Sequence, residues 1–317
     1  MILHLAPLHG VTNRVFRESY FRHFSAFDGA MAPFVVAIPG STAKPRHFKD
    51  LMPGPGTRAR GPLPSGPPLA AQILGNEPSA VAETAGVLVG LGYEEIDLNL
   101  GCPYSMVANK KRGSGLLPFP ERIGEILDAL CAVPGVRASV KLRLGRFEPG
   151  EILRLMPALN ERPLSRVVIH PRIGVQMYRG SVDLELFARA AALCRHPLVY
   201  NGDISSRADF ERLAARFPEV EGWMIGRGAV SNPFLPEEIK TGSVAGDRAR
   251  RLREWHEDLY RSYQGALCGP GHLLDKMKEL WTYLGASFPE KKRQLAAIAR
   301  SRTREEYERA AGEILGG

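Results

Sequence analysis

Glu95-Ile96-Asp97-Leu98-Asn99-Leu100-Gly101-Cys102-Pro103 is the stretch on which the fold turns. Glu95–Leu100 has the character of a buried strand, and Gly101 with Pro103 calls for a tight turn straight after it, so a thiol is presented at a strand end. A thiol placed there can give or take a proton. The plain alternative is a small hydrophobe filling space, as buried cysteines usually do, and that is the reading for Cys131 and Cys194 in helical stretches and for Cys268 near the end.

The same strand-then-turn pattern recurs on both sides. Short β-type runs fall at Ile2–Ala6, Gly29–Ala32, Leu69–Ile73, Glu95–Leu100, Ala138–Leu142, Arg166–Ile169, Leu198–Tyr200 and Gly222–Ile225. Between them, Ser79–Leu91, Pro120–Ala132, Leu184–Leu193 and Arg207–Arg216 repeat apolar residues at helical spacing. Alternation of this kind predicts an α/β fold, a closed (β/α)8 TIM barrel, whose active site lies at the carboxyl ends of the strands. The unusual residues do follow strand ends: Pro7 and His9, Gln72, Asn99 and Cys102, Lys141 and Arg143, His170 and Arg172, Asn201 to Asp203, and Gly226 with Arg227. Pro53 to Pro68 is too rich in Pro and Gly for a helix or central strand and reads as an excursion whose Arg58 and Arg60 are solvated or touch a polyanion. From about Asp247 only helix-forming sequence remains. The expected division is a barrel over 1–242 and a small all-helical domain over 243–317.

Composition sets limits on function. With 44% hydrophobic and 24% charged residues, the 317-residue chain has a real core and is not disordered in type. No cationic leader precedes the apolar start and no run is long enough to span a membrane, so a cytoplasmic protein is expected. The four cysteines form no CxxC pair or His cluster, which argues against a disulfide framework and a metal site. A net charge of +8 and a pI near 9.4 suit a polyanionic partner, although many basic proteins have none.

Lys141 and Arg143 stand on the same side of one strand end, and cations in a barrel mouth need an anion, either a neighbouring carboxylate or a ligand such as a reduced flavin. Asn201-Gly202-Asp203 and Gly226-Arg227-Gly228 occupy the phosphate-binding quarter of such barrels, where glycine admits phosphate oxygens and Arg pairs with them. Barrel turns also use glycine for structural reasons, and the pattern does not distinguish FMN from a sugar phosphate.

Ala6-Pro7-Leu8-His9-Gly10-Val11-Thr12, Ala71-Gln72-Ile73-Leu74-Gly75, the Asn99 to Pro103 turn, Lys141-Leu142-Arg143-Leu144-Gly145, His170-Pro171-Arg172 and Ile225-Gly226-Arg227-Gly228 together resemble the dihydrouridine synthase family, in the right order over nearly the whole chain. The resemblance implies an FMN-containing barrel and a helical tRNA-binding domain, with NADPH reducing the flavin. On that model Gln72, Lys141 and His170 hold the isoalloxazine, Pro7, Leu8 and His9 line it, and Asn201, Gly202, Asp203, Gly226 and Arg227 take the ribityl phosphate. Hydride would pass from flavin to C6 of an extruded uracil while the Cys102 thiol protonates C5 from the other face. Asn99, Arg143, Arg172 and Tyr178 become candidates for binding or stacking on the uracil.

Within that family, Pro64-Ser65-Gly66 and the stretch Lys276-Met277-Lys278-Glu279-Leu280-Trp281-Thr282-Tyr283 look most like the bacterial C branch, which modifies D-loop uridine at position sixteen. Lys276, Lys278 and Arg300 are then candidate tRNA contacts; the bland reading of the lysines is a solvated face, and that of Trp281 and Tyr283 is core. Val36 stands where this branch carries a basic residue, and Leu8 and His9 replace its commoner pair. A monomer is expected, because tRNA must reach barrel mouth and helices together. The rival readings are an FMN barrel reducing a small enone or pyrimidine, a flavin-free sugar-phosphate enzyme with Lys141 as Schiff base, and a non-catalytic tRNA-binding barrel.

Overall fold

In a computed structural model, which describes residues 1–40, 45–52 and 66–316, the strands form one parallel sheet closed on itself. They are β1 (Ile2–Leu5), β2 (Gly29–Met31), β3 (Val35–Val36), β4 (Leu69–Leu74), β5 (Glu95–Leu100), β6 (Arg137–Gly145), β7 (Arg166–Ile173), β8 (Leu198–Asn201) and β9 (Gly222–Ile225). β1 pairs with both β2 and β9, and β2 pairs with β4, which closes the barrel in the expected TIM arrangement.

The second barrel position departs from expectation. It is split between β2, against the start of β4, and β3, against its end. Ala32 still donates to the Ala70 carbonyl at 2.9 Å, but Pro33 has no N–H to continue the ladder, so Pro33 and Phe34 turn toward the barrel mouth before pairing resumes. Arg58, Arg60, Pro64 and Ser65 fall outside the described residues.

The four expected helices form at Pro78–Gly90, Pro120–Cys131, Leu184–Leu193 and Arg207–Arg216. Two of their starts are fixed by side chains: Ser206 and Asp209 make a capping box, and the Asp183 carboxylate caps the backbone N–H of Leu186. Their apolar faces and the outward faces of the strands share one large core, whereas Ala6, Met31, Ala70, Val168, Val199 and Met224 form a separate plug inside the barrel. The plug is the floor on which the site is built.

After the barrel come Arg248–Ala266, Pro270–Leu284, Lys292–Arg300 and Arg304–Leu315, all helical. Trp255, fully buried, meets Phe16 at 5.9 Å and Phe24 at 5.6 Å between ring centroids, and so docks the first of these helices on Arg14–His23. Trp281 is core, as its bland reading holds, with Nε1 donating to Tyr307 Oη at 2.9 Å. No helix among the described residues is long and apolar enough to cross a membrane, and none of them groups His, Cys, Asp and Glu as a metal site would.

Candidate active site

Strand side chains alternate between the outer core and the barrel interior, and the polar ones lie on the inward parity. Gln72 on β4, Asp97 and Asn99 on β5, Ser139 and Lys141 on β6, His170 on β7 and Asn201 on β8 therefore sit above the apolar plug. Gln72, Asn99, Lys141, His170 and Asn201 open into a cavity of about 770 Å³ at the carboxyl ends of the strands, and Asp97 and Ser139 lie buried beneath it. Pro7, Leu8, His9, Gln72, Asn99, Cys102, Lys141, Arg143, His170, Tyr178, Asn201, Gly202, Asp203, Gly226 and Arg227 all border it. Arg172, Lys276, Lys278 and Arg300 do not.

Cys102 is held by its backbone. Its N–H and that of Gly101 donate to Asn99 Oδ1 at 2.9 and 3.0 Å, and its carbonyl accepts from the backbone N–H and hydroxyl of Ser114 at 3.0 and 2.9 Å. Gly113, at φ +57°, lies against it so closely that a Cβ there would fall 2.8 Å from Cys102 Cβ. Arg146 closes the far side, donating to the Pro103 carbonyl at 3.0 Å. Burial pushes the Cys102 thiol above its ordinary range, against the smaller opposing effects of the Tyr104 backbone N–H and of Arg143, Lys141 and Arg146. A thiol so placed keeps its proton near neutrality and has one to give.

The cations have divided roles. Arg143 is buried, donating to the carbonyls of Gly101, Ile173 and Met177 at 3.0, 3.0 and 2.6 Å, so it braces the β5 turn against the loop after β7. Arg172 is likewise turned to the wall: it makes a two-point pair with Asp203 and donates to the Gly180 carbonyl, while its buried Nε has no partner among the described residues. Its Nη1 also lies 3.1 Å from His170 Nε2. A guanidinium only donates, so that nitrogen accepts and the ring proton resides on Nδ1. Burial, then Arg143, Lys141, Arg172 and Arg227, drives the His170 pKa well down, and the imidazole is neutral. The Tyr178 ring lies between Arg143 and Arg227, at 5.2 and 5.0 Å from its centroid.

Lys141 differs from these. Among the described residues its ammonium has no ion-pair or hydrogen-bond partner, so the neighbouring-carboxylate reading of its charge has no contact to support it. Burial and Arg143 lower its pKa to about 8, with Asp97 acting in the opposite sense. A cavity that holds this cation, a neutral His170 and Arg227 fits an anionic ring system with a phosphate. Arg227 reaches Asp203 Oδ1 at 3.2 Å and remains partly exposed. Asp203, at φ +44°, is thus an anchor for two guanidinium groups, and its own charge is unsuited to touching phosphate. Gly228 packs where a Cβ would lie 2.1 Å from the Ile204 carbonyl, which is a structural use of glycine.

The lysines proposed for nucleic acid are turned inward. Lys276 Nζ donates to the Gly10 carbonyl at 2.7 Å and pairs with Glu279, and Lys278 Nζ donates to the Ser301 carbonyl. Arg300 is exposed, with its Nε donating to the Ala296 carbonyl one turn back. Sequence reading missed Ser114 and Arg146, which hold the Cys102 turn, and Tyr104, Thr282 and Ala286, which border the cavity. The last two come from the helical tail, as does Tyr283, which lines the cavity although its bland reading was core. The inward parity of Asp97 was a signal available in the sequence; the contacts from distant segments were not.

A parallel barrel with a guarded thiol and an unpaired cation at its carboxyl end defines the active site of a TIM-barrel enzyme. A family model described as dihydrouridine synthase (Dus) matches residues 4–308, and the chain belongs to that family. The tRNA-dihydrouridine(16) synthase of Cupriavidus necator is 32% identical over 99% of this chain and 97% of that protein. Its counterpart from Shewanella oneidensis is 30% identical over 90% and 89%. Among solved structures, morphinone reductase superposes with a TM-score of 0.53 at 12% identity over 78% of this chain and 87% of that one, a likeness of fold.

Proposed function

We propose that this protein reduces the C5–C6 double bond of a D-loop uridine in tRNA, at position sixteen as the names of its relatives have it, with FMN as cofactor and NADPH as reductant. The observation that carries the reading is the juxtaposition of the Cys102 thiol with an unpaired Lys141 on the lining of one cavity. When bound, FMN supplies the hydride that C6 receives.

The protein's own part is to bind, orient and protonate. Lys141 balances the negative charge of a reduced isoalloxazine, Gln72 and the neutral His170 hold the ring, and Pro7, Leu8 and His9 line it. Asn201, Gly202, Gly226 and Arg227 receive the ribityl phosphate, with Asp203 orienting Arg227. Cys102 Sγ gives its proton to C5 and is reprotonated from solvent. Because a stacked base cannot enter such a cavity, the uridine leaves the stack, most cheaply from a loop. Asn99 meets the uracil; Arg143 and Arg172 act on it through the loops they brace. The helices over 243–317 form a tRNA-binding unit; Lys276 fixes its seat on the barrel through the Gly10 carbonyl, and Lys278 braces the unit internally through the Ser301 carbonyl. A cytoplasmic monomer suits this reading.

The test is incubation of tRNA lacking dihydrouridine with the protein, FMN and NADPH, followed by nucleoside analysis and mapping. New dihydrouridine that disappears with Cys102→Ala supports the reading. A yellow protein that oxidises NADPH with small enones and leaves tRNA unchanged would replace it by the small-molecule reading.

A further inference from the structure

Directly beneath the cavity floor lies Asp97, a fully buried carboxylate that the mechanism above does not use. Its Oδ2 accepts from Gln72 Nε2 at 2.7 Å, and its Oδ1 from the Ser139 hydroxyl at 2.9 Å. Gln72 Oε1 accepts from Asn99 Nδ2 at 2.8 Å, and Asn99 Oδ1 accepts from the N–H groups of Gly101 and Cys102. These bonds form one chain from the buried charge to the backbone of the reacting thiol.

The chain has a direction. An ionised carboxylate only accepts and a backbone N–H only donates, so the two amides between them can be arranged in one way. Gln72 must turn its NH2 to Asp97 and its oxygen to Asn99; Asn99 must turn its NH2 to Gln72 and its oxygen to the turn. The second Gln72 N–H is directed at Met31 Sδ, 3.1 Å away. The capacity left over is one N–H on Asn99 Nδ2 and one lone pair on Gln72 Oε1, both in residues that border the cavity.

We infer that Asp97 is a positioning residue: through Gln72 and Asn99 it sets the Cys102 turn, and it makes Asn99 a donor and Gln72 an acceptor toward a ring carrying an imide edge. An imide edge sets a carbonyl beside an N–H, and both an isoalloxazine and a uracil have one. Burial holds the Asp97 pKa up near 6, while its bonds to Gln72 and Ser139 pull it down, so it is mainly the carboxylate at neutral pH. The catalytic consequence rests on the proposed reduction of uridine, but the chain itself can be tested without it.

The order of the chain predicts a pattern that a generic packing role would not produce. Asp97→Asn keeps an oxygen for Gln72 and a donor for Ser139, so melting temperature and FMN binding stay near the parent values. Asn99→Asp puts acceptors at both ends of Gln72, which can satisfy one of them, and lowers the melting temperature by about 5 °C. Combining the two substitutions moves the carboxylate to the other end of Gln72 and the amide to the buried end, so the chain runs in reverse and most of that loss is recovered. Asp97→Ala leaves the Gln72 NH2 without its buried acceptor and the amide held only from the Asn99 side, with kcat for dihydrouridine falling about tenfold or more, KM for tRNA nearly unchanged, and a shifted visible spectrum of bound FMN. Asp97→Asn restores kcat and spectrum. If the double variant is no more stable than Asn99→Asp, or Asp97→Asn is as impaired as Asp97→Ala, the inference is wrong. If Asp97→Ala does not fold, the melting temperatures of the other three variants decide alone. Failure of the parent protein to make dihydrouridine counts against the proposed function, and the same melting temperatures then still test the chain.

Discussion

Arg172 closes a two-point ion pair on Asp203, with Nη1 to Oδ1 at 2.8 Å and Nη2 to Oδ2 at 2.5 Å, and only the carboxylate is appreciably exposed. The pair ties β7 to the turn after β8. Asp203→Asn tolerates the left-handed backbone but leaves a buried cation without its charge partner, and is expected to destabilise the protein by about 3 kcal/mol in urea titration. Combining it with Arg172→Met should cost less than the sum of the single changes. Strict additivity would show that the pair does not couple.

Cys102 and Cys268 offer an internal comparison. Cys268 is exposed, whereas Cys102 is buried with its thiol pKa raised. Iodoacetamide near neutral pH should modify Cys268 first, and Cys102 alkylation should accelerate as pH rises beyond the usual thiol range. Peptide mapping by mass spectrometry over a pH series checks this; faster labelling of Cys102 at pH 7 would contradict a proton-donor thiol.

Lys141 is a cation below about pH 8 and neutral above it. Affinity of the apoprotein for reduced FMN, followed by anaerobic titration, should weaken as pH rises through that value. Lys141→Met should weaken affinity about tenfold or more at pH 7 and abolish that part of the pH dependence. An unchanged profile in Lys141→Met would assign the titration elsewhere.

Acid stability should reflect buried histidines. His4 and His256 are held at about 4 by burial, and His170 lies well below its usual value, so each is neutral in the fold and protonates near 6.5 when unfolded. The unfolded state therefore binds more protons between those limits: stability is full above about pH 6.5 and declines as pH falls toward 4. Asp97, raised to about 6, acts in the opposite sense over its own range. Urea unfolding of His256→Asn should show a shallower decline than the parent; an identical slope would mean that His256 does not contribute.

Lys276 and Lys278 satisfy carbonyls of the barrel loop and of the following helical turn, so their replacement by Met should lower stability and leave the salt dependence of tRNA binding nearly unchanged. Lys292 and Arg293 are exposed, and no carboxylate pairs with them among the described residues. Each replaced by Ala should reduce the slope of log K against log salt by roughly 0.7 to 0.9, the contribution of one phosphate contact. A larger slope change for Lys278 would restore the sequence-based assignment.

Much of this protein was legible in one dimension because barrel strands and their helices are local objects. A strand such as Glu95–Leu100 announces itself by its apolar residues, and Gly101 with Pro103 marks where it stops. Pro33 hid the split of the second barrel position, since the reading was of apolar character and the break depends on a missing ladder donor. Arg143, Arg172 and Lys276 were readable as cations near strand ends or on a helix, but not as spent ones. Their acceptors lie in other segments: Met177, Asp203 and Gly10.

By itself the sequence determined the βα repeat, the turn that carries Cys102 and the set of polar residues at the strand ends. These follow from side-chain periodicity and backbone permissiveness, which act over a few residues. Only the tertiary structure decided which cation lacks a hydrogen-bond acceptor among the described residues. Lys141, Arg143, Arg172 and Lys276 carry the same formal charge in one dimension, and what separates them is the acceptor within hydrogen-bonding distance once the barrel closes. Burial makes that difference chemical, because in a dry site an unpaired cation asks for a ligand and a paired one holds the wall.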